Sequence, residues 1–283
     1  MRWLVTGARG MLGQDLVAVL AAAGEQVTAT DRHDVDILDP ASTLAAVAGH
    51  DVVVNCAAWT AVDAAETQEA EAFALNAIGP LTLATAATHH GARLVQISTD
   101  YVFDGAAGHP YAEGGLAAPR SAYGRTKAAG EWAVRSTGPD HLVVRTAWLY
   151  GAGGACFPRT IARVAAERGG LDVVADQVGQ PTWTVDVADL VLRLLTAGAP
   201  GGTYHATSSG QTSWHGFARA VVAAAGMDPE IVRPTTSADF VRPAPRPAYS
   251  VLGHDGLDAL GVTPVGPWQE RWAEAAPSVL AGR

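Results

Sequence analysis

Apolar residues in the first half of the chain fall into two alternating rhythms. Short β-type runs occupy 2–6, 26–30, 51–56, 93–98 and 141–146, and Val52-Val53-Val54 in the third reads as strand buried on both faces. Helical spacing fills the stretches between them, at 11–23, 40–48, 66–90 and 122–136, with one or two helices expected around Gly79-Pro80. Strands alternating with helices of roughly 10–15 residues predict crossover units and a parallel sheet, an α/β fold. After Gly151 the rhythm loosens. A helix is expected at 157–167, a strand at 171–174, turns over 176–182, a helix at 185–196 and a strand at 203–206. From Ser208 onward the segments are rich in Gly, Pro and Trp, including Arg242-Pro-Ala-Pro-Arg-Pro247. The pattern predicts a first domain over 1–150, to which the chain returns around 183–206, and a smaller, less regular one over 151–182 and 207–283.

Composition narrows the function classes. Hydrophobic residues make up 48% and charged residues 17% of 283, which argues against disorder. The formal net charge of −9 argues against nucleic-acid and anionic-membrane partners. An anionic ligand must then be met by a few local arginines or a helix N-terminus. Cys56 and Cys156 give neither a disulfide framework nor metal-ligand spacing and read as small buried thiols. The nine histidines form no His-x-x-x-His or Cys/His cluster, so no zinc site is expected. The absence of a signal-like start and of apolar runs of ~20 residues predicts a cytoplasmic protein. Among the tryptophans, Trp3, Trp132, Trp268 and Trp272 are expected in the core, and Trp59, Trp183 and Trp214 are candidates to stack on a nucleotide base.

The first strand runs into Thr6-Gly7-Ala8-Arg9-Gly10-Met11-Leu12-Gly13, which opens a helix. Glycines at this spacing allow a tight turn, close approach to a pyrophosphate and close helix–sheet packing, while the helix N-terminus offers free N–H groups to phosphate. Gly7, Arg9, Gly10, Met11, Leu12 and Gly13 are therefore candidates for dinucleotide binding. The second strand ends at Asp31-Arg32. A carboxylate there suits an adenosine ribose hydroxyl, whereas Arg32 or Arg9 suits a 2′-phosphate, and the two signals conflict. Asp36 and Ile37 are candidates to flank the adenine. Farther on, Ser98-Thr99-Asp100 ends a strand, and Tyr123 and Lys127 lie one helical turn apart on one face. A nearby ammonium stabilises a phenolate, so the pair suits a phenol that protonates a carbonyl, with a strand-end hydroxyl holding the oxygen.

Taken together, these residues make the chain resemble the extended short-chain dehydrogenase/reductases, and within them the dTDP-4-dehydrorhamnose reductase family. The resemblance rests on Gly7-x-x-Gly10-x-x-Gly13, Asn55-Cys-Ala-Ala-Trp-Thr-Ala-Val-Asp63, Ser98-Thr-Asp-Tyr-Val-Phe103 and Tyr123-x-x-x-Lys127. It continues through Arg145-Thr-Ala-Trp148, Asp176-Gln-x-Gly-x-Pro-Thr182 and Arg246-Pro-x-x-Ser-x-Leu252, so it spans nearly the whole chain.

The resemblance implies a Rossmann-type doubly wound parallel sheet with a smaller C-terminal α/β substrate domain. It implies Thr99, Tyr123 and Lys127 as catalytic residues, with Ser98, Cys56, Ala57, Ala58, Tyr123 and Lys127 beside the cofactor. Thr99, Asp100, Tyr101, Tyr123 and Trp148 would hold the sugar, and Arg246 the substrate diphosphate. The implied reaction is reduction of the C4 keto group of a dTDP-4-keto-6-deoxy sugar, first of all the rhamnose precursor, by NADPH, with NADH as an alternative donor. Another deoxysugar 4-ketoreductase, such as a dihydrostreptose synthase, stays open, and a non-catalytic regulatory subunit of this fold is a remote alternative that the presence of both Tyr123 and Lys127 argues against. Some members of the family bridge a dimer with magnesium. Asp15 fits the first of three acidic stretches, but Val185 and Ser278 stand at the others and are not hard-cation ligands, so a monomer or a metal-independent homodimer is expected.

Overall fold

β1 (Arg2–Thr6) carries Trp3 and Val5 on one face and Leu4 on the other, all three fully buried. A strand apolar on both faces belongs in the middle of a sheet covered on both sides. The structure, a computed structural model describing residues 1–281, places it there. α1 (Met11–Ala22) returns the chain to β2 (Gln26–Thr30), parallel to β1 with Thr6 opposite Thr30. α2 (Pro40–Val47), capped by the Asp39 carboxylate on the Ala41 N–H, leads to β3 (Val52–Asn55) on the other side of β1. That reversal makes the crevice at the ends of β1 and β3 the switch point where ligands bind in such sheets.

α3 (Val62–Ala65) and α4 (Glu69–Phe73) follow, and α4 continues through a π-turn, Ala74–Ile78, into α5 (Gly79–His90). Gly79-Pro80 therefore does not divide the stretch. The wider π-turn shifts the hydrogen-bond register just ahead of Pro80, where its missing N–H is tolerated. Gly79 lies against Ile37, whose Cδ1 would stand 2.5 Å from a Cβ there.

β4 (Arg93–Thr99) ends in a 3-10 turn, Asp100–Val102, and is followed by α6 (Ala122–Thr137) and β5 (Leu142–Thr146). Short β6 (Leu149–Tyr150), then α7 (Phe157–Arg168), β7 (Leu171–Val174), β8 (Val178–Gly179) and β9 (Thr182–Trp183) precede α8 (Thr184–Thr196) and β10 (Gly202–His205). β10 pairs with β5, giving a six-stranded parallel sheet in the order β10-β5-β4-β3-β1-β2. Leu16 and Leu20 of α1 and Leu190 and Leu194 of α8 pack on one face of it, Leu83 of α5 and Val134 of α6 on the other.

The chain continues through β11 (Ser208–Ser209), β12 (Thr212–Ser213), α9 (Trp214–Ala224), β13 (Val232–Thr235), α10 (Asp255–Ala259), β14 (Val265–Pro267) and α11 (Trp268–Leu280). A second apolar cluster is built from α7, α9 and α11 around Tyr150, Phe217, Trp268 and Trp272. The turn-rich 176–182 stretch contributes β8, paired antiparallel with β12, and the start of β9, paired parallel with β6. Trp3, Trp268 and Trp272 are core residues, but Trp132 is 71% exposed. The reason is rotational: α6 turns Lys127 and Glu131 toward the sheet, and the next residue points about 100° away. Among the described residues no helix is long and apolar enough to cross a membrane.

α6 reaches the sheet only because Gly130 passes the π-turn closely. A Cβ at Gly130 would stand 2.0 Å from the Asn76 carbonyl oxygen, whereas one at Gly114 would meet nothing. Gly130→Ala is expected to destabilise the protein by about 2 kcal/mol, read as a lower thermal-unfolding midpoint, with Gly114→Ala unchanged.

Candidate active site

The three glycines after β1 have three different structural reasons. Gly7 has a left-handed backbone (φ +67°), and a Cβ there would stand 2.7 Å from the Ala57 nitrogen. Gly13 brings α1 against the turn, since its Cβ would stand 2.3 Å from the Gly7 oxygen. Gly10 caps α1 without a side-chain bond, so first-turn N–H groups are open to a ligand. A cavity of about 520 Å³ lies there, lined by Gly10, Met11, Leu12 and Gly13 on one side and Cys56, Ala58, Ser98 and Thr99 on the other. Ala57 supports it from behind: its N–H donates to the Asn55 side chain. Asn55 also accepts from Thr6 Oγ1 (2.7 Å) and donates to Gln96 Oε1 (2.8 Å), tying the ends of β1, β3 and β4 together.

Tyr123 and Lys127 enter the same cavity from α6, whose N-cap Ser121 accepts from the Gly124 N–H. Lys127, the chain's only lysine, is buried, and its Nζ donates to the Ile97 carbonyl at 2.7 Å. Burial pulls its ammonium down to about 8, opposed by the negative charge of Glu131. Burial likewise pushes the Tyr123 phenol up, with the Thr99 hydroxyl pulling it back and Asp100 pushing it further. Tyr101 packs edge-on against Tyr123, ring centres 5.6 Å apart. Thr99 Oγ1 donates to Asp100 Oδ1 (2.9 Å) and accepts from the Tyr101 N–H (3.2 Å). Asp100 is pushed up to about 6 by burial, against the pull of the Ser250 and Thr99 hydroxyls. Its Oδ2, like the buried Thr146 Oγ1 that also belongs to a cavity-lining residue, has no partner among the described residues. The Cys56 thiol, pushed up to about 12 by burial, is neutral. Open helix N–H groups, a buried ammonium and orphaned polar atoms fit a dinucleotide and a polar substrate sharing one cavity.

The remaining candidates divide. Arg9 Nε lies 3.5 Å from the Asp31 carboxylate, which also accepts from the Arg32 N–H, so the two signals at the end of β2 sit together just outside the cavity lining. Asp36 is exposed and bonded to the Leu38 N–H, outside the cavity. Ile37 is only 6% exposed, and its side chain packs in the core with residues of α2 and α5. Trp59 and Trp183 line neither this cavity nor the next. Asn76 bonds the Trp59 backbone at both N–H and C=O, and Trp183 lies beneath the Arg271 guanidinium.

Trp148 does line the cavity, in a left-handed conformation (φ +47°) costly for a tryptophan. Its ring is wedged between Gly179, where a Cβ would stand 2.5 Å away, and Trp214, stacked with centres 3.6 Å apart. Trp214 in turn faces a second cavity of about 560 Å³, with Phe157, Phe240, Arg242 and Arg246. Arg242 and Arg246 each pair with Asp63, at 2.8 and 2.9 Å. Burial would raise the Asp63 carboxyl, but the Ala244 N–H and both guanidinium groups hold it below the usual range. Sequence reasoning missed Arg242 and Asp63 as partners of Arg246; the signal was two arginines spaced through one proline-rich segment. It also missed Asn76 and Glu131, although Glu131 follows Lys127 by one helical turn. Asp15 is half-buried against the Thr184 hydroxyl, and the described residues hold no cluster of three or more potential metal ligands.

The RmlD substrate binding domain family model matches residues 1–280. The chain is 51% identical to a probable dTDP-4,6-dihydroxy-2-methyloxan-3-one 4-ketoreductase of Streptomyces antibioticus, over 99% of this chain and 96% of that one. It is 50% identical to a dTDP-4-dehydrorhamnose reductase of Streptomyces griseus, over 100% and 95%. The crystal structure of a dTDP-4-dehydrorhamnose reductase of Bacillus anthracis in complex with NADP matches with TM-score 0.93 and 36% identity, over 97% of this chain and 98% of that one.

Burial of the Asp100 carboxyl makes stability depend on pH. Its folded value of about 6 lies above the ordinary 3.8, so the folded state binds more protons between the two and loses stability as pH rises through that window. Asp100→Asn removes that slope and should raise the unfolding free energy near neutral pH by about 2 kcal/mol, measured by urea unfolding across the window.

Proposed function

The chain belongs to the RmlD substrate-binding-domain family, and on that premise we propose that it reduces the C4 keto group of a dTDP-linked 4-keto-6-deoxy sugar with NADPH, dTDP-4-dehydro-L-rhamnose to dTDP-L-rhamnose being the first choice. The observation that carries the reading is the meeting of Thr99, Tyr123 and Lys127 in the cavity that the glycine turn opens.

NADPH, when bound, supplies the hydride. Its pyrophosphate is assigned to the open N–H groups of α1, and its adenosine end to Asp31 with Arg9 and Arg32 alongside. Tyr123 donates its phenolic proton to the carbonyl oxygen, and Thr99 holds that oxygen in place. Lys127 would hold the nicotinamide ribose, and its ammonium would stabilise the phenolate left on Tyr123 against the burial that opposes ionisation. The orphaned Asp100 Oδ2 is free to accept a sugar hydroxyl, and Tyr101 and Trp148 wall the sugar in. Arg246 and Arg242 hold the diphosphate, and the aromatic rings of Phe157, Trp214 and Phe240 suit the thymine. Residues 1–150 with 183–206 then hold the dinucleotide and present Thr99, Asp100, Tyr101 and Trp148 to the sugar, and 151–182 with 207–281 complete the substrate site.

A second reading has one observation behind it. The relatives at 51% and 50% identity carry names for different dTDP-keto sugars, so a deoxysugar 4-ketoreductase of antibiotic biosynthesis, such as a dihydrostreptose synthase, is the alternative substrate assignment.

A panel of dTDP-4-keto-6-deoxy sugars, offered with NADPH or NADH and followed by loss of reduced nicotinamide and by product NMR, tests both readings. Tyr123→Phe is expected to lower kcat by roughly 10²–10⁴-fold with cofactor binding retained. Arg246→Ala and Arg242→Ala should act on KM, by about tenfold each. No oxidation of either cofactor by any nucleotide sugar would reject the proposed reaction.

A further inference from the structure

One helical turn beyond Lys127, on the same buried face of α6, stands a second charge that the proposed reaction does not use. Glu131 is 1% exposed, and one of its partners, Ser98, lines the cavity of Tyr123 and Lys127. Arg145 of β5, itself 3% exposed, grips both carboxylate oxygens, Nε to Oε1 at 2.8 Å and Nη2 to Oε2 at 2.7 Å. The Ser98 hydroxyl of β4 donates to Oε1 at 2.6 Å, and Arg135 reaches Oε2 at 3.2 Å. Arg145 is satisfied in turn by the Glu113 carbonyl and lies over the Phe103 ring. His205 of β10, beside Arg145, is held neutral by burial and by that guanidinium.

Such a pair brings little net stability, because taking both charges out of water offsets their attraction. Its placement suggests another use. Ser98 follows Ile97, whose carbonyl receives the Lys127 ammonium, and precedes Thr99. Arg145 lies opposite Ser98 in the β4–β5 register, with Thr146 opposite Thr99. The carboxylate thus holds two strand ends and stands on the helix face of the ammonium, four residues away.

We propose that Glu131 is a positioning residue: clamped by Arg145, its carboxylate stands beyond ion-pair distance on the helix face of Lys127, as the anion whose charge favours the ammonium, and through Ser98 it fixes the Ile97 carbonyl to which that ammonium is bonded. The inference deepens the reductase reading, in which Lys127 works as a cation. Facing Lys127 are Glu131 and the neutral Cys56 thiol. Asp100 and Tyr101, from the turn packed on α6, face Tyr123. Asp63, Glu66 and Glu69, from the preceding helices, are engaged by Arg242 and Arg246, by the Ala122 N–H and by Arg125. Among the described residues, no other carboxylate acts on Lys127 in place of Glu131.

Because the chain has a single lysine, labelling with side-chain ¹³C,¹⁵N-lysine gives one ammonium signal whose titration reads Lys127 directly, without turnover. In the full-length protein the midpoint is expected near 8. Glu131→Gln should lower it by about one unit, a ~tenfold loss of ammonium above the midpoint. Glu131→Asp should return most of the shift. The double variant Glu131→Gln/Arg145→Met, which leaves no lone buried charge and folds if the single variant does not, should shift by less but in the same direction. In parallel the alkaline limb of kcat should move down in pH by the same amount, with the KM for the sugar nucleotide unchanged. A Lys127 midpoint in the folded Gln or double variant equal to that of the unaltered protein overturns the proposal. A shifted midpoint with an unshifted kcat profile upholds the positioning role and instead counts against a cationic Lys127 in the reaction.

Discussion

The constraint on which the site depends is one ammonium kept out of water. Lys127 is the chain's only lysine, and it lies buried at the point where α6 crosses the ends of β3 and β4. An isolated buried cation is costly enough that it would sooner lose its proton, and burial has already brought Lys127 most of the way to neutral pH. Its ammonium is bonded to the Ile97 carbonyl and lies in the field of the Glu131 carboxylate, whose charge opposes the effect of burial. Glu131 leans on Arg145 and Ser98, Arg145 on Glu113 and Phe103. Two strands and one helix are thereby committed to one nitrogen atom.

Close backbone approach supplies the other half of the geometry. Gly7 lets β1 and β3 converge, Gly13 lets α1 press on the turn, and Gly130 lets α6 slide under the π-turn that carries Asn76. Asn76 then holds the Trp59 backbone and the Thr126 hydroxyl, linking the segment after β3 to the helix of Tyr123. The ligand side carries the left-handed Trp148 and the orphaned oxygens of Asp100 and Thr146. Native proteins accept such local losses where a ligand will make them good.

The strands of the sheet were legible because a parallel strand must be apolar on both faces, and Trp3-Leu4-Val5 and Val52-Val53-Val54 have few other places to go. The helix of Tyr123 and Lys127 was legible because its spacing puts both on one face. Trp132 was misread for the same kind of reason: hydrophobicity alone does not say which side of a helix meets the sheet, and a residue next to Glu131 faces water. The Ile37 side chain fills the notch left by Gly79, a contact across 42 residues that no local periodicity announces. The π-turn had no local signature. It exists because α5 and α6 must pack together while Asn76 reaches Trp59.

The sequence by itself determined the alternation of strands and helices, the glycine turn, and the one-turn spacing of Tyr123 and Lys127, all of which follow from local periodicity and backbone allowance. Tertiary structure alone decided that Thr99 meets this pair, that Glu131 and Arg145 close behind it, and that Trp148 stacks on Trp214 between two cavities. It also decided that Asp63 draws Arg242 and Arg246 together from 179 and 183 residues away. The physical reason is range. Propensity and periodicity act within a few residues, whereas desolvation of a charge and contact between rings depend on what the folded chain places on the far side.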